Sequence, residues 1–303
     1  MTDGTGRDAV ATDSTELPAD THVGRVGLRV GSIDRMAAYY EDAIGLAGER
    51  DGDRLVLGPT PDEPRLVLES APDAPPRPRA AAGLFHVAIR VPDRTALGDA
   101  VTRLRSAGAP LSGASDHLVS EALYLRDPEG NGLELYRDRP REGWPTTPDG
   151  GVGMDTLPLD LADLEAAGTG EHVDALPAGT DVGHVHLEVT DLPRAVRCYR
   201  DGLGLVLRAR YGAQAAFLAA GGYHHHVGLN TWNGRTGPAG TTRGLAWWEL
   251  ALPDGAARAA VVERLSAAGF GVTDGADVEA IEGGGGVVVT DPDGIRCRLV
   301  VPG

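Results

Sequence analysis

The amino-acid sequence predicts an α+β fold assembled from four copies of one module: a strand, a helix, then several strands. Two internal repeats and their spacing carry that expectation. Residues 26–46, VGLRVGSIDRMAAYYEDAIGL, match residues 185–205, VHLEVTDLPRAVRCYRDGLGL. Each is a short alternating strand, an Asp-containing turn, an amphipathic helix and a Gly-Leu stop. Residues 87–108, VAIRVPDRTALGDAVTRLRSAG, match residues 248–269, WELALPDGAARAAVVERLSAAG. Arg25 aligns with His184, 159 positions on, and His86 with Trp247, 161 positions on. Offsets this similar mean that a two-module unit was duplicated.

In chain order, residues 1–21 are polar and acidic and read as a disordered leader. They lack the basic start and apolar core of a signal peptide. Modules 1 and 2, near 22–70 and 83–138, make an N-terminal domain, 22–138. Their strands alternate Val, Leu and Ile with polar residues, which buries one face. DPEGNG at 127–132 is turn chemistry before a last strand, and DPDG at 291–294 repeats it. The flanks repeat as well: LRDPEGNGLELY (125–136) matches VTDPDGIRCRLV (289–300). Residues 139–180, rich in Pro, Gly and Asp, read as a connector with one short helix at 160–167. Modules 3 and 4, near 182–232 and 244–303, make a C-terminal domain, 181–303. Four glycines at 283–286 lack the Lys-Ser/Thr of a phosphate-binding loop and read as a flexible hairpin.

The chain has 303 residues, 42% hydrophobic and 24% charged, which suits a soluble globular protein. No apolar run approaches a membrane span. The expected location is the cytoplasm, with no membrane partner. The net charge is −16, and arginine supplies every basic side chain. Such a surface repels phosphate backbones and argues against nucleic acid as a partner. It also suits a high-salt cytoplasm. Two cysteines, Cys198 and Cys297, cannot make a disulfide framework and read as packing residues.

Four stretches, taken together, resemble the vicinal oxygen chelate superfamily of glyoxalases, bleomycin resistance proteins and extradiol dioxygenases. They are GLFHVAIRVPD (83–93), SEALYLRDPEGNGLELYRDRP (120–140), GHVHLEVTDL (183–192) and GGYHHHVGLNTW (221–232). The chain is most similar to two-domain catechol 2,3-dioxygenases, from about His22 onward. The resemblance implies four βαβββ modules paired into two domains with curved mixed sheets, and a homo-oligomer. It also implies a metal-binding His on a module's first strand and a Glu on its last. At the His position the modules hold Arg25, His86, His184 and Trp247. At the Glu position module 2 has Glu134 and module 4 has Arg298. Ligand types therefore survive only in modules 2 and 3, and pairing these gives His86, Glu134 and His184. The alternative is that module 3 of one subunit completes module 2 of another. Two imidazoles and a carboxylate are the donor set of a non-haem Fe(II) facial triad, with positions left for a catechol and O₂. Mn(II) is the alternative ion. Trp247 then belongs to a metal-free companion site of modules 1 and 4.

The resemblance further implies proton-handling groups. Tyr124 stands ten residues before Glu134, and His117 lies in the loop before it. A third, on a middle strand of module 3, is His225 or His226; the family pattern H-x-V-A-F favours His225 without excluding His226. His186 shares a strand face with His184 and is a fourth metal neighbour, a substrate contact or a filler. The expected activity is extradiol cleavage of a small aromatic diol with O₂. Two other classes stay open. One is a glyoxalase-like lyase or isomerase, whose metal polarises a carbonyl or enediolate and usually takes two carboxylates. The other is a non-catalytic small-molecule-binding protein, which tends to lose the ligands. Each residue also has a structural reading. A strand His is often a satisfied core group, and Glu134 near a turn is often a solvated charge. Glu134 reaches a metal only if Leu133 and Leu135 face the other way. Trp248 reads as packing, and Trp232 as packing or a pocket wall.

Overall fold

The structure is a computed structural model that describes residues 16–148, 150–274 and 286–302. Most of the expected leader and most of the glycine run lie outside the described residues. Residues 16–21 are described. Leu17 is buried, and its N–H donates to Gly204 O at 3.1 Å.

Module 1 contains β1 (His22–Val30), α1 (Ile33–Ala38), β2 (Ala47–Asp51), β3 (Arg54–Gly58) and β4 (Leu66–Ser70). Module 2 contains β5 (Gly83–Arg90), α2 (Arg94–Ser106), β6 (Gly113–Asp116), β7 (Ser120–Arg126) and β8 (Gly132–Asp138). The connector holds β9 (Leu157–Pro158) and α3 (Leu161–Ala166), with Asp160 as the helix cap. Module 3 contains β10 (Asp181–Glu188), α4 (Leu192–Arg197), β11 (Val206–Tyr211), β12 (Ala215–Ala219) and β13 (Val227–Asn230). Module 4 contains β14 (Gly244–Ala251), α5 (Gly255–Ala267), β15 (Val272–Asp274), β16 (Val287–Thr290) and β17 (Arg296–Val300).

The helices begin where side chains can take up unpaired N–H groups. Asp93, Asp191 and Asp254 each accept from the N–H three residues on. In modules 1 and 3 the helix loosens into a π-helical segment, Tyr39–Ile44 and Cys198–Gly202.

The strands form two sheets. One runs β15-β16-β17-β14-β1-β4-β3-β2, and the other β11-β12-β13-β10-β5-β8-β7-β6-β9. Each sheet therefore joins one module from each half of the chain: 4 with 1, and 3 with 2. The joints are antiparallel pairs of first strands, β1 with β14 and β5 with β10. Within each module the first strand runs parallel to the last, which makes the sheets mixed. One large apolar cluster spans both sheets and all the helices. Two equivalent hydrogen bonds tie modules 1 and 2, and 3 and 4, within each half: Tyr40 to Asp127 at 3.1 Å and Tyr199 to Asp291 at 3.0 Å.

Cys198 and Cys297 are buried and free, and Trp248 is buried against Tyr199. Among the described residues no helix is long and apolar enough to cross a membrane.

Candidate metal centre

The β5–β10 joint places the candidate ligands. His184 lies opposite Ala88, and His186 opposite His86. On the other side of β5, Glu134 of β8 is paired with the same Ala88. Residues 86 and 88 share a face of β5 because side chains alternate along a strand. Three long side chains thus meet over one methyl group. Glu134 faces this side, and its neighbours Leu133 and Leu135 face the apolar core.

His86 Nε2 lies 2.9 Å from Glu134 Oε2, His184 Nε2 lies 3.2 Å from the same oxygen, and the two imidazole nitrogens are 3.3 Å apart. An ion held at about 2.1 Å would separate its ligand atoms by about 3.0 Å in an octahedron and about 3.4 Å in a tetrahedron. The three distances fall at those spacings, so the donor set fits a first-row divalent metal. Among the described residues no other His, Cys, Asp and Glu set meets in this way. All three residues are buried, at 5%, 3% and 2% exposure.

The protonation states also suit a metal. Burial lowers the His184 pKa to about 4, with Glu134 opposing it. Burial alone would raise the Glu134 carboxyl, but the neighbouring His184 and His86 rings outweigh it and hold it well below the usual carboxylate range. A neutral imidazole and an ionised carboxylate are what coordination requires.

The triad opens on a cavity of about 400 Å³. Phe85, Phe217, Trp232, Val119 and Leu125 supply much of its apolar wall. Tyr124 and His117 line it too. Burial and Glu134 keep the Tyr124 phenol protonated, well above its usual pKa. His117 Nδ1 lies 2.7 Å from Asp155 O, which can only accept, so that nitrogen carries the proton. His117 Nε2 then accepts from the Tyr124 hydroxyl at 2.6 Å. His186 reaches the cavity, and its buried Nε2 has no partner among the described residues.

The three consecutive histidines lie in the irregular segment before β13 rather than in a strand. The turn at Gly221 and Gly222, both at positive φ (60° and 71°), delays the strand until Val227. His225 lines the cavity, with its ring centroid 4.1 Å from that of His184. His226 does not line it. Its Nδ1 accepts from Ala220 N–H at 3.2 Å, its ring packs on Tyr223, and burial lowers its pKa to about 3. His224 was not singled out by the sequence, yet it bonds both Asp138 and His225.

The equivalent position in the other sheet is filled. Trp247, in the place of His86, donates from Nε1 to Glu69 at 2.6 Å. Arg298, in the place of Glu134, stacks its guanidinium 3.6 Å from the indole centroid. Arg25, in the place of His184, donates to Glu249 at 2.8 and 3.0 Å. Glu249 itself occupies the position of Ala88, so the small floor is gone. Gly27, in the place of His186, is required: a Cβ there would fall 2.2 Å from the Trp247 ring. Indole and guanidinium groups offer no lone pair to a cation, so this centre holds the sheet by packing and ion pairs.

The chain is 40% identical over 275 residues to catechol-2,3-dioxygenase of Bacillus subtilis (strain 168), spanning 86% of this chain and 93% of that one. Two solved structures share its fold at low identity. One is a protein of Bacillus subtilis subsp. subtilis str. 168 named for a dioxygenase, with 14% identity, TM-score 0.62, and 95% of this chain and 87% of that one covered. The other is glyoxalase I from Zea mays, with 18% identity, TM-score 0.56, and 93% and 92% covered. The family model for the glyoxalase/bleomycin resistance protein/dioxygenase superfamily matches residues 22–135 and 181–299, the two stretches that supply the four modules. Repeated modules, sheet topology and family match agree, and the chain belongs to the glyoxalase/bleomycin resistance protein/dioxygenase superfamily.

Proposed function

We propose that this protein is an Fe(II)-dependent extradiol dioxygenase that cleaves a catechol beside its two hydroxyls with O₂. The observation that carries the reading is the buried His86–Glu134–His184 set opening on an apolar cavity. The 40% identity to a catechol-2,3-dioxygenase supports it. Two imidazoles and one carboxylate with open positions favour iron(II) over the four-ligand sites of lyases. When bound, that ion would supply Lewis acidity for the diol oxygens and a path for electrons from the diol to O₂.

The protein groups then have separate duties. Phe85, Phe217 and Trp232 exclude water and hold the aromatic ring. His225 lines the cavity beside His184, and burial keeps it neutral, so its imidazole presents a lone pair to a substrate hydroxyl. Tyr124 has given its proton to the bond with His117, so its oxygen accepts from the second hydroxyl. His186, whose Nε2 has no partner among the described residues, is a further polar group lining the cavity.

The test is oxygen uptake by anaerobically purified, Fe(II)-loaded protein with catechol, alongside absorbance of the yellow ring-opened product. Stoichiometric O₂ loss with yellow product, abolished in His86→Ala and His184→Ala, is the expected result. Bound metal without O₂ uptake for any catechol would replace this reading with a lyase or isomerase. Failure to bind any metal would leave a small-molecule-binding protein.

A further inference from the structure

We propose that His224, anchored by Asp138, is a positioning residue that fixes the orientation and tautomer of His225. His225 is the base only on the dioxygenase reading above; its tautomer is a property of the chain itself. Asp138 closes β8, the strand that carries Glu134. Its carboxylate accepts from Arg90 at 2.9 Å, from the Tyr223 hydroxyl at 3.0 Å and from His224 Nε2 at 2.9 Å. The Tyr136 hydroxyl stands 2.7 Å behind Tyr223, completing a shell of donors. A carboxylate held by donors on each side is an acceptor everywhere, so His224 carries its proton on Nε2.

The rest follows by donor–acceptor matching. Neutral His224 offers only a lone pair at Nδ1, which lies 2.7 Å from His225 Nδ1. That contact is a hydrogen bond only if His225 carries its proton on Nδ1. Its Nε2 is then a bare lone pair. Among the described residues no group hydrogen-bonds that nitrogen, and His225 lines the cavity. His224 is 0% exposed and packs against both the Tyr223 and Trp144 rings, so water does not compete for its nitrogens. The reverse order would leave a proton on His225 Nε2 and no site for one from the substrate.

Glutamine at 224 preserves the order, donating from its amide to Asp138 and accepting from His225 through its carbonyl. Leucine abolishes it. Long-range ¹H–¹⁵N NMR on the full chain loaded with diamagnetic Zn(II) reads the tautomer directly. The expected result is His225 protonated at Nδ1 in the wild type and in His224→Gln. In the Fe(II)-loaded protein, kcat should fall about tenfold or more in His224→Leu, the scale of a misaligned general base. Bound metal and KM should stay unchanged, and His224→Gln should recover most of kcat. Wild-type His225 protonated at Nε2, or a His224 imidazolium, would overturn the proposal whatever the chain catalyses. So would an unchanged kcat in His224→Leu, or a His224→Gln variant as slow as the leucine one. If the leucine variant does not fold, the wild-type spectrum and the glutamine variant still decide.

Discussion

Removing the Trp247 side chain should unfold much of the protein, and trimming it should weaken the fold while leaving the metal centre intact. The indole is 1% exposed, donates to Glu69 at 2.6 Å and supports the Arg298 guanidinium at 3.6 Å. Truncating a buried aromatic to alanine costs about 3–5 kcal/mol. Leaving Glu69 without its donor adds about 1 kcal/mol or more, and losing the stacked cation adds about another 1 kcal/mol. Trp247→Ala therefore approaches the whole stability of a typical domain, about 5–15 kcal/mol. Trp247→Phe keeps a ring face for Arg298 and loses the N–H and part of the volume, so about 2–3 kcal/mol is expected. Urea titration of wild type and Trp247→Phe measures the difference. Metal analysis of the folded variant should still give one ion per chain. An unchanged unfolding midpoint, or a folded variant that has lost its metal, would refute the assignment of this residue to a purely structural centre.

Other expectations are narrower. Ala88→Leu places three extra carbons where His86, Glu134 and His184 converge; metal binding measured by equilibrium dialysis should be lost, at a fold cost of about 1–3 kcal/mol from overpacking. Glu134→Gln removes the anionic donor of the His86–Glu134–His184 set and should weaken metal affinity by about a hundredfold or more, measured by equilibrium dialysis. Burial raises the Asp291 pKa from 3.8 to about 6. The folded state therefore holds a proton there that the unfolded state has released, so stability is greatest below pH 4 for this group and falls as pH rises through 6. The loss is on the order of 3 kcal/mol, and Asp291→Asn should flatten that part of a stability–pH curve. A net charge of −16 predicts a melting temperature that rises with KCl; a flat dependence would end the idea that acidity matches the chain to salt.

The repeats made much of this molecule legible. Helix starts at Asp93, Asp160, Asp191 and Asp254 follow from side chains that bond the free N–H groups of a first turn. His86, Glu134 and His184 emerged because the family resemblance implies the ligand positions and the repeats allow them to be compared between modules, where a lone strand histidine says nothing. What stayed hidden depends on register between distant strands. Ala88 is an unremarked alanine until β10 and β8 flank it. Asp138 looked like one more charge in RDRP until the chain folded His224 against it. Glu69 and Glu249, which complete the metal-free centre, were invisible for the same reason. The histidine run suggested a strand because the apolar residues after it, Val227 and Leu229, continue one, but two positive-φ glycines set the backbone into a turn first.

The exchange of modules between halves also dictates an order of assembly on the ribosome. Strands β5 and β10 come from the middle of the chain, so the sheet bearing the candidate metal ligands can close while the last module is still being made. Strand β1 has a different history. Its partner β14 lies more than two hundred residues later, with His22 pairing with Ala251. From its synthesis until that partner emerges, module 1 carries an unpaired sheet edge, the kind of surface that invites wrong pairing. Nascent chains that stall before residue 244 should therefore hold a finished β5–β10 sheet beside an aggregation-prone amino terminus.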